Sequence, residues 1–252
     1  MLRTTVALIV LMAEPLLLGA HEVTLFPQDE AGVLHVTARY GDPEAYEEIA
    51  RIKLLTLDAI DPLGAHHSLL TVTTPASDGK SLQSAFSLPA SLPSGSWILS
   101  SHYDNGFFVH DAEGHALATT LEEFPAARDS AHYFKFSKAL WRVGHNAAGY
   151  DRILGDRLEL IPRSDPYSKT SSELLVEIRF EGQPLSQAEI EVGDDTTASR
   201  IPVVKSDQHG IARVPLDHKG WYRIAVTHRV ASAYPRLFRE DDLTASLVFS
   251  RP

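Results

Sequence analysis

The chain carries twelve histidines and no cysteine. Any metal site it builds must therefore use imidazole, carboxylate or main-chain donors rather than thiolate. His21 stands out among the histidines because it follows Gly19-Ala20 at the end of the greasy segment "MLRTTVALIVLMAEPLLLGA". A short positive region at Arg3, an apolar stretch and a closing small-residue pair form the pattern of an export signal over residues 1–20. Cleavage after Ala20 makes His21 the first residue of the mature chain. Its α-amine, with a pKa of about 7.7–8.0, and its own ring nitrogen can then close a small chelate ring on one ion. Both donors belong to one residue, so the second bond forms with little further ordering. Such nitrogen donors suit nickel, cobalt, copper and zinc, whereas calcium calls for clustered carboxylates.

Neighbouring strands must supply the remaining ligands. His102 and His110 flank "YDNGFFV", which reads as a strand, a turn at Asp104-Asn105-Gly106 and a returning strand. A hairpin there brings the two rings together. His228 ends the strand "WYRIAVTH", on the face shared by Tyr222, Ile224 and Val226. On that face it is either a ligand or a hydrogen-bonding cap of the sheet. The predicted metal set is therefore His21, His102, His110 and His228. His66 and His67 read as a solvated turn, and His35, His115, His132, His145, His209 and His218 as surface or structural residues.

Short apolar runs position these side chains. "EVTLF", "VLHVTARY", "IKLLTLDAI", "SLLTVTT", "SAFSL", "SWILSSHY" and "GFFVH" read as strands, separated by turn chemistry such as "PASDGK" and "DAEGH". "DPEAYEEIARIKLL" can open with a helical turn, and "HYFKFSKALWRVG" fits a helix or a strand. From "DRLELIPRSDPYS" onward the alternation is cleaner. The expected fold is all-β, with two β-sandwich (Ig-like or prealbumin-like) domains in tandem, at residues 21–160 and 161–252.

The net charge is -10, with no dense Lys/Arg cluster, which argues against nucleic acid as a partner. Removal of residues 1–20 takes away one Arg and one Glu and leaves that charge unchanged. The longest uncharged N-terminal stretch, Thr4 to Ala13, is too short to cross a bilayer. The mature chain is thus expected in the periplasm with no membrane span, folding on its core without disulfides. There is no second histidine of a zinc-protease helix after "HEVTL", no nucleophile elbow, no phosphate loop and no dinucleotide fingerprint. No enzymatic activity is expected.

"GQPLSQAEIEV", "SDQHGIARVPL" and "GWYRIAVTH" resemble the prealbumin-like sandwich of carboxypeptidase regulatory-like domains. Together with "HEVTLFP", "SHYDNGFFVHDAEG", "FSKALWRVG" and "LELIPRSDPY", they resemble an exported bacterial family. Its members are labelled as the periplasmic, substrate-specific component of nickel/cobalt uptake. That resemblance covers most of the chain after residue 20, and His228 matches the histidine after "AVT" in the family's closing strand. It implies a nickel or cobalt ion as cargo and a membrane nickel/cobalt transporter as partner. Two other readings stand beside it. One is a copper chaperone or a histidine-brace copper oxidase, because copper(II) outcompetes nickel at most nitrogen sites. The other is a non-metal carbohydrate-binding or adhesion module.

Overall fold

The computed structural model describes residues 21–88, 91–197 and 203–252. The expected export signal over residues 1–20 lies outside the described residues. The first part of the chain forms β1 (Val23–Glu30), β2 (Val33–Tyr40), β3 (Leu54–Ile60), β4 (His66–Ser68), β5 (Thr74–Pro75), β6 (Leu82–Ser87), β7 (Gly95–His110), β8 (Ala116–Leu117) and β9 (Asp129–Val143). The second forms β10 (Leu158–Pro162), β11 (Glu173–Phe180), β12 (Gln183–Pro184), β13 (Glu189–Gly193), β14 (Val204–Lys205), β15 (Ile211–Pro215), β16 (Gly220–Ala231) and β17 (Glu240–Arg251). The described fold is all-β apart from two single 3-10 turns, one of them at Arg51–Lys53, near the end of the segment expected to open with a helical turn.

These strands make three sheets. One four-stranded sheet has the order β1-β2-β6-β5, and another has β10-β11-β12 with β15 beside β11. Between them lies a nine-stranded sheet of order β14-β13-β16-β17-β9-β7-β3-β4, with β8 on β7. The parallel pairing of β17 with β9 joins the first and second parts of the chain in that central sheet.

Each face of the central sheet carries its own core. Leu158, Leu160, Val176 and Ile178 pack against Tyr222, Ile224, Leu247 and Phe249 on one side. Leu25, Leu34, Val36 and Leu82 pack against Leu57, Trp97, Leu99 and Val248 on the other. A sheet covered on both faces needs apolar residues at both parities. That explains the ambiguity of "HYFKFSKALWRVG". Phe136 and Leu140 belong to the first core, while Trp141 and Val143 pack on the second, so a run with helical spacing is a strand read across both faces.

Polar contacts anchor the chain near His21. The Ser137 and Ser246 hydroxyls both donate to the carbonyl of Val23, at 2.7 and 2.6 Å. Glu22, itself buried, pairs with the buried Arg223 guanidinium of β16. The start of β1 is thus fixed to the central sheet, and His21 emerges at a defined place beside it.

Candidate functional site

The β1–β2 hairpin decides what His21 meets. Ala31 and Gly32 both have positive φ, at 51° and 82°, which is the two-residue turn whose twist matches a hairpin. The register pairs Val23 with Tyr40. Continued past the strand end, it sets His21 opposite Asp42, and Gly41 N–H donates to the Glu22 carbonyl at 3.0 Å. The chain then folds back, with Glu47 N–H donating to the Tyr40 carbonyl at 2.9 Å.

The His21 ring therefore lies between two carboxylates. Its Nδ1 is 3.3 Å from Glu47 Oε1, and its Nε2 is 3.8 Å from Asp42 Oδ2. The ring meets Tyr40 edge-on, with centroids 5.6 Å apart. Burial and then the Glu47 charge push the Tyr40 hydroxyl well above its ordinary pKa, so it stays protonated while accepting from Asn105. Burial, followed by the Asp42 charge, also raises the carboxyl of Glu191 on β13.

The other predicted histidines do not join this place. "SSHYDNGFFVH" is not a hairpin but part of one continuous strand, β7, with a β-bulge between Asp104 and Gly106. A bulge absorbs the Asn-Gly signal without reversing the chain. His102 and His110 are consequently eight residues apart along one strand, roughly 26 Å at ~3.3 Å per residue. His102 and Tyr103 point to opposite faces of β7, and Tyr103 lies against Tyr40. His102 is thus turned to the other core, where its Nε2 is 2.6 Å from the buried Asp156 carboxylate. His110 Nδ1 makes a short contact with Asp129, its cross-strand partner. His228 pairs through Leu243 and Phe134 to Asp104, about 14 Å from β7 at ~4.8 Å per strand. It packs edge-on against Phe180 at 4.6 Å, and burial lowers its pKa. The structure therefore does not bring the four histidines together: His21 stands apart from His102, His110 and His228, between Asp42 and Glu47.

Three groupings escape a reading of the histidines one by one. Asp42 follows from the hairpin register of "DEAGVL", which sets it opposite His21, whereas Glu47 is brought in by the chain folding back onto Tyr40. His132 Nε2 lies 2.7 Å from Asp104 Oδ1, among Phe107, Phe134 and Phe238. Asp111, Glu113 and His115 bring one ligand atom each to within 4.8 Å of one another, in the exposed turn after β7. Their spacing in "DAEGH" is the available signal, because a tight turn gathers alternate side chains.

The His102–Asp156 contact predicts a pH dependence. The hydrogen bond that the His102 ring donates to Asp156 raises the folded-state pKa of His102 above its ordinary 6.5, outweighing burial. The contribution is therefore fully present below about pH 6.5. It is lost as pH rises through the raised folded value. Thermal midpoints measured across that window are expected to fall more for the native chain than for Asp156→Asn. Parallel curves would contradict the assignment.

Three stacked sheets around two cores define an all-β protein. A profile described as "Domain of unknown function (DUF4198)" matches residues 18–230, and the chain belongs to that family. No curated protein matches it. Among solved structures, dimeric latent PorU from Porphyromonas gingivalis is similar at 14% identity and a TM-score of 0.25, over 92% of this chain and 20% of that one. The BSP domain of a biofilm associated protein is similar at 12% identity and a TM-score of 0.21, over 90% and 29%. The chain thus spans less than a third of the length of either structure. Among the described residues, no helix is long and apolar enough to cross a membrane.

Proposed function

We propose that this protein is an exported carrier of a divalent transition metal, nickel or cobalt, anchored on a mature N-terminal His21. It captures the ion in the periplasm and passes it to a membrane nickel/cobalt transporter without turnover. The observation that carries this reading is the placement of His21 between Glu47 and Asp42. In a chain beginning at His21, the α-amine and Nδ1 chelate the ion, and Glu47, on the Nδ1 side, supplies an oxygen. The Asp42 carboxylate, 3.8 Å from Nε2, favours the tautomer that carries its proton there and so leaves Nδ1 free to bind. Amine, imidazole and carboxylate suit borderline divalent ions, and the ring's exposure leaves a path for transfer.

The groups around the His21 ring are Asp42, Glu47 and Tyr40 rather than a second histidine. That favours a carrier over a histidine-brace oxidase. Calorimetric titration of the chain beginning at His21 tests the assignment. Asp42→Ala is expected to weaken nickel by roughly 10–100-fold, as is usual when a partner that orients a ligand is lost, and Glu47→Ala by at least as much. Unchanged affinity in both variants would remove the site.

A further inference from the structure

The strand ends of β9, β16 and β17 carry a second feature, independent of His21. The chain runs six residues from His21 through the start of β1 to Pro27, about 20 Å at ~3.3 Å per residue. At Pro27 begins a cleft of about 660 Å³, lined also by Trp141, Arg142, His145, Asp165 and Trp221. A neighbouring cleft of about 620 Å³ is lined by Lys169, Ser171, Ser172, His218, Lys219 and Arg251. Tyr167, Lys169 and Pro252 border both, so the two form one continuous groove. Each volume falls within the ~300–1,000 Å³ common for small-ligand sites.

Two half-buried tryptophans stand side by side in the first cleft. Trp221 pairs with Ser250 of β17, and the parallel register of β17 on β9, Val248 to Ala139, carries Ser250 on to Trp141. The indoles are therefore two strand spacings apart, roughly 10 Å, with only a serine side chain between them. Each is braced from behind, Trp141 by Trp97 at 5.9 Å and Trp221 by Phe26 at 5.2 Å. Arg142, the next residue of β9, points to the other face of the sheet, where it stacks on Tyr167 at 4.4 Å and donates to Asp165 at 2.5 Å. Flat apolar platforms on one face, with a planar donor and acceptor around the strand ends, suit a ring that shows C–H groups on its face and hydroxyls at its rim.

The second cleft sets three cations against one carboxylate, Asp217, which lies 2.7 Å from His218 Nδ1. Among the described residues Lys169 and Lys219 have no carboxylate partner. Arg251 donates to the carbonyls of Leu216, at 3.1 Å, and Ser168, at 2.8 Å, and is not neutralised by them. These three cations gather at one end of a chain whose net charge is -10. We propose that the groove binds an acidic oligosaccharide. Pyranose faces lie on Trp141 and Trp221, and carboxylate or sulfate groups meet Lys169, Lys219 and Arg251.

The test titrates the chain beginning at His21 with tetragalacturonate and with a chondroitin sulfate tetrasaccharide, reading heat and tryptophan fluorescence. Maltotetraose and hexaglutamate serve as neutral and peptide comparisons. At least one acidic saccharide is expected to bind, to perturb the fluorescence and to weaken as salt is raised. The double variant Lys169→Glu/Lys219→Glu, which alters two exposed side chains, is expected to lose about tenfold or more in affinity. Trp141→Ala is expected to lose a similar factor while the far-ultraviolet dichroism stays native. Absence of binding by both acidic saccharides would overturn the proposal. So would equal binding of maltotetraose or hexaglutamate, or an unchanged affinity in the lysine variant.

Discussion

Nickel affinity is expected to fall by roughly 100-fold or more when two residues, Gly-Ser, are placed before His21, exceeding the ~10–100-fold typical of losing an outer partner. The extension leaves every side chain in place and changes one atom's chemistry. A terminal amine with a pKa of about 7.7–8.0 becomes an amide that holds its proton and offers no lone pair. The chelate is lost, and the ion is left with an imidazole and the Glu47 carboxylate 3.3 Å from its Nδ1. Cobalt is expected to follow nickel. Titration of the two chains side by side reads the effect directly. Equal affinities would move binding away from the terminus, and a further Glu113→Ala comparison would then report on the exposed Asp111–Glu113–His115 turn.

Glu159→Ala is expected to have the largest effect on stability, costing about 3–5 kcal/mol, the usual range for stranding one buried charge. Glu159 and Lys138 are both nearly inaccessible, and the Lys138 ammonium donates to Oε1 at 2.7 Å and to the Leu160 carbonyl at 3.1 Å. The same carboxylate accepts the main-chain N–H groups of Leu154, at 2.7 Å, and Gly155, at 3.0 Å. One side chain thus holds the loop before β10 and neutralises a cation of β9. Burial lowers the pKa of Lys138, so losing its partner leaves a choice between an unpaired charge and a costly deprotonation. Urea unfolding measures the difference, with an unchanged slope showing that the same surface is exposed. Replacing both partners, as Lys138→Met with Glu159→Leu, is expected to recover most of the loss. A loss below about 1 kcal/mol for Glu159→Ala would put the pair in the class of surface bridges.

The period-two runs at β1, β2, β11 and β17 are legible because alternation and turn residues agree there. β7 and β9 were harder to read for a physical reason. Both lie deep in a sheet covered on two faces, where the polar-apolar contrast that marks a strand disappears. In β7 the Asn105-Gly106 pair, ordinarily a hairpin signal, serves a bulge, and His102 and His110 are parted by the length of the strand. His21 was visible as a chemical group because its position depends only on processing. Its neighbours Asp42 and Glu47 depend on the Ala31-Gly32 turn and its register, and turn type is not fixed by the flanking strands alone. The clefts around Trp141 and Lys169 were out of reach, because they join strand ends far apart in the chain.

In the proposed carrier the mature terminus itself is the metal ligand. The most direct measurement is an anomalous difference map at the nickel edge, from crystals of the chain beginning at His21 soaked in nickel. One peak is predicted within bonding distance of the His21 α-amine, its Nδ1 and a Glu47 oxygen, with Asp42 on Nε2. A peak only at Asp111, Glu113 and His115, or no ordered peak at all, would contradict the account.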